Sequence, residues 1–277
     1  MSLYRWFLTI LFITFILIVV YATLIEPNNI IVEERNIYLE NLPKSFNGFR
    51  IVHITDLHLN SYGRKERGII DKIRELKPDI IVVTGDLIDE KQYLNTGLEF
   101  MEELADISPT YFVFGNWDHL SGVSMSLFEK YLTERKVIVL SNRYVVLSRN
   151  NECIYLIGVD DPHTFNDDLD KAMDNISETN VVKILLAHSP EIIDKAVKKN
   201  ISLVLVGHTH GGQVRLPIIG PLYIPLPPKY RKYDQGLFKV DNTLMLVNRG
   251  IGMSFIPVRF LCPPEIVVIE LYEEENG

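Results

Sequence analysis

Cysteine is nearly absent: Cys153 and Cys262 are the only two in 277 residues, and they form no CxxC pair. That argues against a thiolate-built structural zinc site. The two thiols could pair or stay free, which leaves the redox compartment open. An excess of positive charge is also missing. The formal net charge is −8, and no basic stripe runs along the chain, so nucleic acid is not expected as a ligand. Bound cations would reverse the local sign, so an anionic substrate is compatible with that balance. Neither an internal repeat nor a low-complexity segment is present, and the 47% hydrophobic content excludes a disordered or fibrous chain. The length suits one large catalytic domain better than two. Nothing in the pattern fixes an oligomeric state.

Charge is also missing from one long stretch. Between Trp6 and Ile25 lie 20 residues with no formal charge. A helix of that length spans roughly 30 Å, the thickness of a bilayer's hydrocarbon core. The stretch is longer than a signal-peptide core, and Tyr21-Ala22-Thr23 makes a poor cleavage site, so an uncleaved anchor is favoured over a cleaved signal. Residues 1–25 are read as a transmembrane anchor, 26–48 as a tether with an edge strand at Asn36–Leu39, and 49–273 as the catalytic domain. Arg5 precedes the span while Glu26, Glu33 and Glu34 follow it. That bias favours a cytoplasmic N-terminus and a single-pass protein with its catalytic domain on the extracytoplasmic face.

From Phe49 onward, short apolar runs alternate with helices of about a dozen residues, the signature of βαβ units. Strands are predicted at Arg50–Ile54, Ile80–Val83 and Tyr111–Phe114, with helices at Lys65–Leu76, Leu94–Ala105 and Met125–Glu134. Val137–Leu140, Tyr144–Ser148 and Ile154–Val159 are close-set and read as antiparallel hairpins. Alternation then returns with Val181–Leu186, Glu191–Lys198 and Ser202–Val206. Strands near Leu237–Val240, Leu244–Val247 and Ile266–Leu271 close the chain. The expected architecture is α/β: a four-layer αββα sandwich of two mixed sheets flanked by helices, preceded by the transmembrane helix.

Ligands in such folds bind beyond the carboxyl ends of strands. Five successive strand ends here deliver polar groups: Asp56 and His58, then Asp86 and Asp89, then Asn116 and Asp118, then His188, then His208 and His210. Each residue alone has a plain reading as a helix cap, a turn residue or a satisfied histidine. The ordered set does not, and it holds four of the chain's seven histidines. Carboxylate, amide oxygen and imidazole together suit divalent cations, and Mn²⁺, Fe, Zn²⁺ and Mg²⁺ all accept such donors. Two ions about 3.5–4 Å apart need a shared carboxylate, and Asp86 is the natural bridge.

The series Asp56-x-His58, Gly85-Asp86-x-x-Asp89, Gly115-Asn116-x-Asp118, His188 and Gly207-His208-x-His210 resembles the calcineurin-like metallophosphoesterase superfamily over essentially all of Phe49 to Tyr272. The N-terminal apolar segment, the Gly-His-Thr-His-Gly-Gly-Gln run and the stretch from Asn248 to Glu265 resemble its membrane-associated subfamily of UDP-2,3-diacylglucosamine hydrolases and envelope phosphodiesterases. The resemblance implies one metal held by Asp56, His58, Asp86 and His210, and a second held by Asp86, Asn116, His188 and His208. It also implies in-line displacement at phosphorus, with Asp89 and Asp118 orienting ligands or loops rather than binding metal.

One position departs from the pattern. Where the family carries a histidine after Gly-Asn, this chain has Trp117, whose indole N–H can donate a hydrogen bond but cannot act as an acid. His119, two residues on, is either the replacement proton donor or a plain surface histidine. His53 reads as a core or sheet-face residue, and His163 is undecided. Arg249 and Arg259, with Trp117, are candidate substrate contacts, the arginines either as a phosphate clamp or, in the commoner role of arginines, in surface or core-rim salt bridges. The proline- and leucine-rich segment Leu216–Tyr233 either packs on the second sheet or forms a lipid-facing lip through Leu222, Ile224 and Leu226. The expected reaction is metal-dependent hydrolysis of a phosphodiester or pyrophosphate in an amphiphilic, UDP-2,3-diacylglucosamine-like lipid. An anchored enzyme acting on a soluble phosphoester is the first alternative. The second, invited by Trp117, is a non-catalytic metal-stabilised scaffold.

Overall fold

The computed structural model describes residues 3–176 and 180–274, so Met1 and Ser2 of the anchor segment lie outside the described residues. Helix α1 (Leu3–Val20) runs on through a π turn (Tyr21–Ile25) and a 3-10 turn (Glu26–Asn28) with Pro27 near its start. This helical segment is long and apolar enough to cross a membrane, and no side chain from Leu3 to Val20 is buried.

The remaining strands, in chain order, are β1 (Ile31–Leu39), β2 (Phe49–Ile54), β3 (Ile80–Thr84), β4 (Thr110–Val113), β5 (Ile138–Val139), β6 (Arg143–Arg149), β7 (Glu152–Gly158), β8 (Lys183–Leu186), β9 (Leu203–Val206), β10 (Arg215–Leu216), β11 (Gly220–Pro221), β12 (Gly236–Val240), β13 (Thr243–Val247) and β14 (Glu265–Glu273). One six-stranded sheet has the order β1-β14-β2-β3-β4-β5, the other β12-β13-β9-β8-β7-β6, and β10 and β11 form a small hairpin. β2 to β5 pair in parallel, as do β7, β8, β9 and β13. Antiparallel pairs (β14 with β2, β6 with β7, β12 with β13) make both sheets mixed.

Helices α2 (Arg64–Glu75), α3 (Leu94–Ala105), α4 (Asn116–Leu120) and α5 (Met125–Glu134) follow strands of the first sheet, and α6 (Leu169–Ala172) and α7 (Ile193–Lys198) follow strands of the second. Strand periodicity explains how the layers form, because alternate residues enter different cores. On β2, Ile51 joins the apolar layer between the sheets, which includes Ile80, Leu156, Ile184 and Leu203. Its neighbours Val52 and Ile54 join the layer under the α2, α3 and α5 helices. A third apolar layer, with Leu185, Val204, Ile193 and Ala196, lies beneath α6 and α7. The four-layer αββα sandwich expected from the sequence is the one observed.

Two local expectations need correction. Val137–Leu140 is not part of a hairpin: its two strand residues pair in parallel with β4 at the edge of the first sheet, and only β6 and β7 form the antiparallel pair. The edge strand expected at Asn36–Leu39 starts at Ile31 and runs parallel to β14 along its whole length. The polar run Glu33–Asn36 hid its first half, because an edge strand with one wet face needs few apolar side chains.

Candidate metal centre

The chemistry-bearing residues sit where parallel strands end. Asp56 and His58 follow β2, Asp86 and Asp89 follow β3, Asn116 opens α4 after β4, His188 follows β8, and His208 and His210 follow β9. The backbone there is bent into an uncommon conformation: Asp56, His58, Asp86, His208 and His210 all have φ between 46° and 69°. Left-handed φ at non-glycine residues costs roughly 1–2 kcal/mol each, and such strain gathers at functional sites. The bends also let His208 and His210, alternate residues that would face opposite ways in a strand, both turn inward. Gly85, at φ +88°, leaves room for His188, since a Cβ there would stand 2.8 Å from its Nδ1. At Gly207 a Cβ would collide with the Asp56 carboxylate.

Two groups of donor atoms result. Asp56, His58 and His210 form one and Asp86, His188 and His208 the other, with the donor atoms of each within 4.8 Å of one another and all six residues buried. The Asp86 carboxylate reaches both groups: Oδ2 is 3.2 Å from His188 Nε2 and 3.7 Å from His58 Nε2. Asn116 Oδ1 lies 3.1 Å from His188 Nε2.

The ring nitrogens show whether this set fits cations. Carbonyl and carboxylate oxygens only accept hydrogen bonds. His188 therefore donates from Nδ1 to Thr84 O at 2.8 Å, His208 from Nε2 to Pro225 O at 3.1 Å, and His58 from Nδ1 to Asp89. In their neutral forms the opposite nitrogens of His188, His208 and His58 would carry lone pairs, and the rings face one another in pairs: His208 Nδ1 lies 3.1 Å from His188 Nε2, and His58 Nε2 3.2 Å from His210 Nε2. His210 Nδ1 is buried without a partner. Lone pairs converging beside buried carboxylates suit metal ions, with Asp89 and Thr84 fixing ring orientation behind them.

The protein's own charges show the strain of this arrangement. Burial pushes Asp56 up to about 6, with Asp86 adding to the rise and His188 opposing it. Burial disfavours charge on His188 as well, yet Asp86 and Asp56 outweigh it and hold the imidazole well above its ordinary value. Burial drives His208 down to about 3 and His210 well below its usual range.

Around this centre the structure sorts the remaining predicted residues. Asp118 accepts the backbone N–H groups of Asp86, Leu87 and Gly115, each at 2.9 Å, so it ties two strand-end loops together. Asp89 orients His58. His53 is a core residue, bonded to Thr84 Oγ1 at 2.8 Å. Trp117 donates its backbone N–H to Asp86 Oδ1 at 2.8 Å, and its ring stands edge-on to His58 and to Phe255.

The two arginines offered as a phosphate clamp have protein partners in the structure, the alternative reading of them. Arg259 is fully buried, its guanidinium donating to the carbonyls of Arg249, Gly250, Gly252 and Cys262. Arg249 is engaged by Glu265. Both brace the loop between β13 and β14. The lip expectation also changes, because Ile224 and Leu226 are only 6% and 4% exposed while Leu222 stays open.

His119 pairs with Asp160 at 2.6 Å and packs against Phe114. His163, undecided from the sequence, lines the pocket at the centre. Its ring lies 4.4 Å from that of His208, and its Nδ1 is 2.8 Å from a Glu191 oxygen. The signal was available, since His163 also lies beyond a strand end, that of β7. The pocket holds about 430 Å³ and changes character outward, from Asp86, Asn116, His208 and His210 to Leu222, Tyr223, Phe255, Ile256 and Val258. Phe255 and Ile256 were not singled out within the Asn248–Glu265 stretch, because nothing in their own residue types points to the metal centre.

Comparisons with known proteins agree with this geometry. The sequence model of the calcineurin-like phosphoesterase family matches residues 49–212. The metallophosphoesterase YkuE of Bacillus subtilis (strain 168) is 35% identical over 257 residues, covering 91% of this chain and 88% of that protein. Phosphodiesterase YaeI of Escherichia coli (strain K12) is 31% identical over 229 residues, 80% of this chain and 82% of that protein. A Danio rerio transmembrane protein with a metallophosphoesterase domain is 32% identical over 250 residues, 84% of this chain and 55% of that protein. Among solved structures, a dimetal phosphatase from Danio rerio shares the fold at 12% identity and a TM-score of 0.51, covering 82% of this chain and 94% of that one. The chain belongs to the calcineurin-like phosphoesterase family, and is a metal-dependent phosphoester hydrolase of a family that uses two divalent metal ions.

Proposed function

We propose that this chain is a single-span membrane phosphoesterase that hydrolyses a phosphodiester or pyrophosphate bond in an amphiphilic lipid, of the UDP-2,3-diacylglucosamine type, on the extracytoplasmic face. One observation carries the reading: a carboxylate shared by two groups of metal donors sits at the base of a pocket whose outer wall is apolar. Asp56, His58, Asp86 and His210 would hold one ion, and Asp86, Asn116, His188 and His208 the other. When bound, the pair supplies Lewis acidity and an activated water at neutral pH. The protein's part is positioning: Asp89 fixes His58, Thr84 fixes His188, and Asp118 holds the loops bearing Asp86 and Asn116 together. The outer residues Leu222, Tyr223, Phe255 and Ile256 exclude water and accept acyl chains.

His163 is the side chain placed to give a hydrogen bond to the leaving oxygen, with Glu191 holding its ring, while Asp160 occupies His119. His163→Gln should slow esters of poor leaving groups far more than p-nitrophenyl esters, and His119→Gln should not discriminate. The reverse pattern restores His119 to the role.

The deciding experiment is purification without metal, reloading with Mn²⁺ or Zn²⁺, and comparison of UDP-linked diacylglucosamine with bis(p-nitrophenyl) phosphate for the parent and Leu222→Ser/Tyr223→Ser. A loss confined to the lipid substrate supports the proposal. Equal losses on both, or no turnover of the lipid, favour a soluble phosphoester.

A further inference from the structure

The apolar helix and the metal centre share one end of the sandwich. β1 is parallel to β14, and β14 is antiparallel to β2, so β1 begins where β2 ends, beside Asp56 and His58. Only Asn29 and Ile30 separate the last helical turn from β1. The foot of the helix is also clamped. Glu26, 1% exposed, accepts the backbone N–H groups of Leu261 and Cys262, and Ala22 O accepts that of Arg259 at 2.9 Å. Tyr21 meets Phe260 edge-on. A helix crossing a bilayer therefore leaves the domain beside the catalytic loops, with little freedom to turn them away.

Exposed apolar side chains follow the same geometry. Outside residues 3–28, the described large apolar side chains that are at least 59% exposed all lie at this end. Ile218 and Ile219 form the tip of the β10–β11 hairpin, Leu222 and Tyr223 follow it, and Phe255 and Ile256 cap the loop that the helix foot holds. Leu120 and Phe165, beyond β4 and β7, complete the set. Ile218 and Phe255 even adopt φ of 72° and 58°, a conformation in which glycine or asparagine would be unstrained and which a bulky side chain takes only at a cost. Solvent offers nothing to offset that cost, whereas a lipid interface does. At the foot of the helix, Arg64, Lys65 and Lys72 border a cleft beside Asn28 and Ile30, which suits anionic headgroups. The opposite end of the sandwich presents polar turns instead, such as Asn150-Asn151 and Asp241-Asn242.

We infer that the catalytic domain rests on the bilayer itself, with the Ile218-Ile219 tip and the Phe255-Ile256 loop inserted among the headgroups and the metal pocket opening onto the leaflet. This rests on the reading of the first helix as a span and deepens the proposed lipid activity by giving the substrate a lateral route in.

The test uses the full chain in nanodiscs of phosphatidylcholine and phosphatidylglycerol. A Cys153→Ser background leaves only the buried Cys262, and an environment-sensitive fluorophore is attached at Ile218→Cys, Phe255→Cys or Asn242→Cys. Quenching by lipids spin-labelled high on the acyl chain, with a blue-shifted emission, is expected at 218 and 255 but not at 242. Emission and quenching at 218 and 255 matching those at 242 overturn the inference. Because no turnover is read, failure here is separable from failure of the lipid activity. As a second readout, Ile218→Ser/Ile219→Ser, outside the pocket lining, should lower the rate on nanodisc-borne substrate several-fold and leave bis(p-nitrophenyl) phosphate unchanged. An unaltered rate on both substrates counts against docking.

Discussion

Replacing Asp86 by asparagine removes one negative charge from the single carboxylate that both donor groups share and changes little else. The Asp86 Oδ1 atom accepts the Trp117 N–H at 2.8 Å, a bond an asparagine oxygen can keep. Its Oδ2, 3.2 Å from His188 Nε2 and 3.7 Å from His58 Nε2, becomes an amide NH₂ that donates into the space the cations need. One unit-charge pair about 4 Å apart is worth about 4 kcal/mol at an effective dielectric constant of about 20. With two divalent ions bound the lost charge would act on both, so this figure is a lower bound. At about 1.4 kcal/mol per factor of ten it corresponds to roughly a thousandfold. The Asp86→Asn protein should therefore keep its far-ultraviolet circular dichroism, hold one metal ion or none after desalting, and lose at least about a thousandfold in hydrolysis of bis(p-nitrophenyl) phosphate. Elemental analysis that finds two ions per chain, with a rate within about tenfold of the parent, would refute the shared-carboxylate reasoning.

Three further outcomes follow from particular contacts. Gly207→Ala drives a methyl group into the Asp56 carboxylate and Thr55, so metal bound per chain should fall while the fold persists, read by elemental analysis beside circular dichroism. Arg259→Met strands the four carbonyls its guanidinium serves. It should cost about 3 kcal/mol or more of stability and lower the thermal midpoint, where a substrate clamp would instead raise KM in a protein of unchanged stability. For the His119–Asp160 pair, burial opposes both charges, yet the mutual contact raises His119 and lowers Asp160. The His119 contribution is full below its unfolded value of about 6.5 and fades as pH rises through the raised folded value; the Asp160 contribution is full above about 3.9 and fades as pH falls through the lowered one. Asp160→Asn should therefore destabilise by about 1–2 kcal/mol near pH 5–6 and by less at alkaline pH, as followed by denaturant titration. A loss that grows with rising pH would contradict the assignment.

The sequence by itself determined the layered fold and placed the candidate metal donors at its strand ends, and for one physical reason. Donors placed just beyond short apolar strands are local signals: each needs only a strand, its end and the residues next to it, and parallel pairing then gathers those ends in one place. Asp56, Asp86, Asn116, His188 and His208 were legible in this way, and so were helices such as Leu94–Ala105, whose periodicity lies within one element. Tertiary structure alone decided what depends on residues distant in the chain. Whether Arg259 reaches a ligand or braces the core could not be read from its own neighbours; four loop carbonyls close around it. Whether Ile224 and Leu226 pack inward or form a lip was open until the loop was seen to fold them inward, while Phe255 and Ile256, not singled out in the sequence, form the wall beside the metal pocket. Which sheet β5 joins depends on a pairing with β4 that its own residues do not encode. That the apolar helix enters at the catalytic end follows from the direction of β1, and an isolated strand has the same composition whichever way it runs.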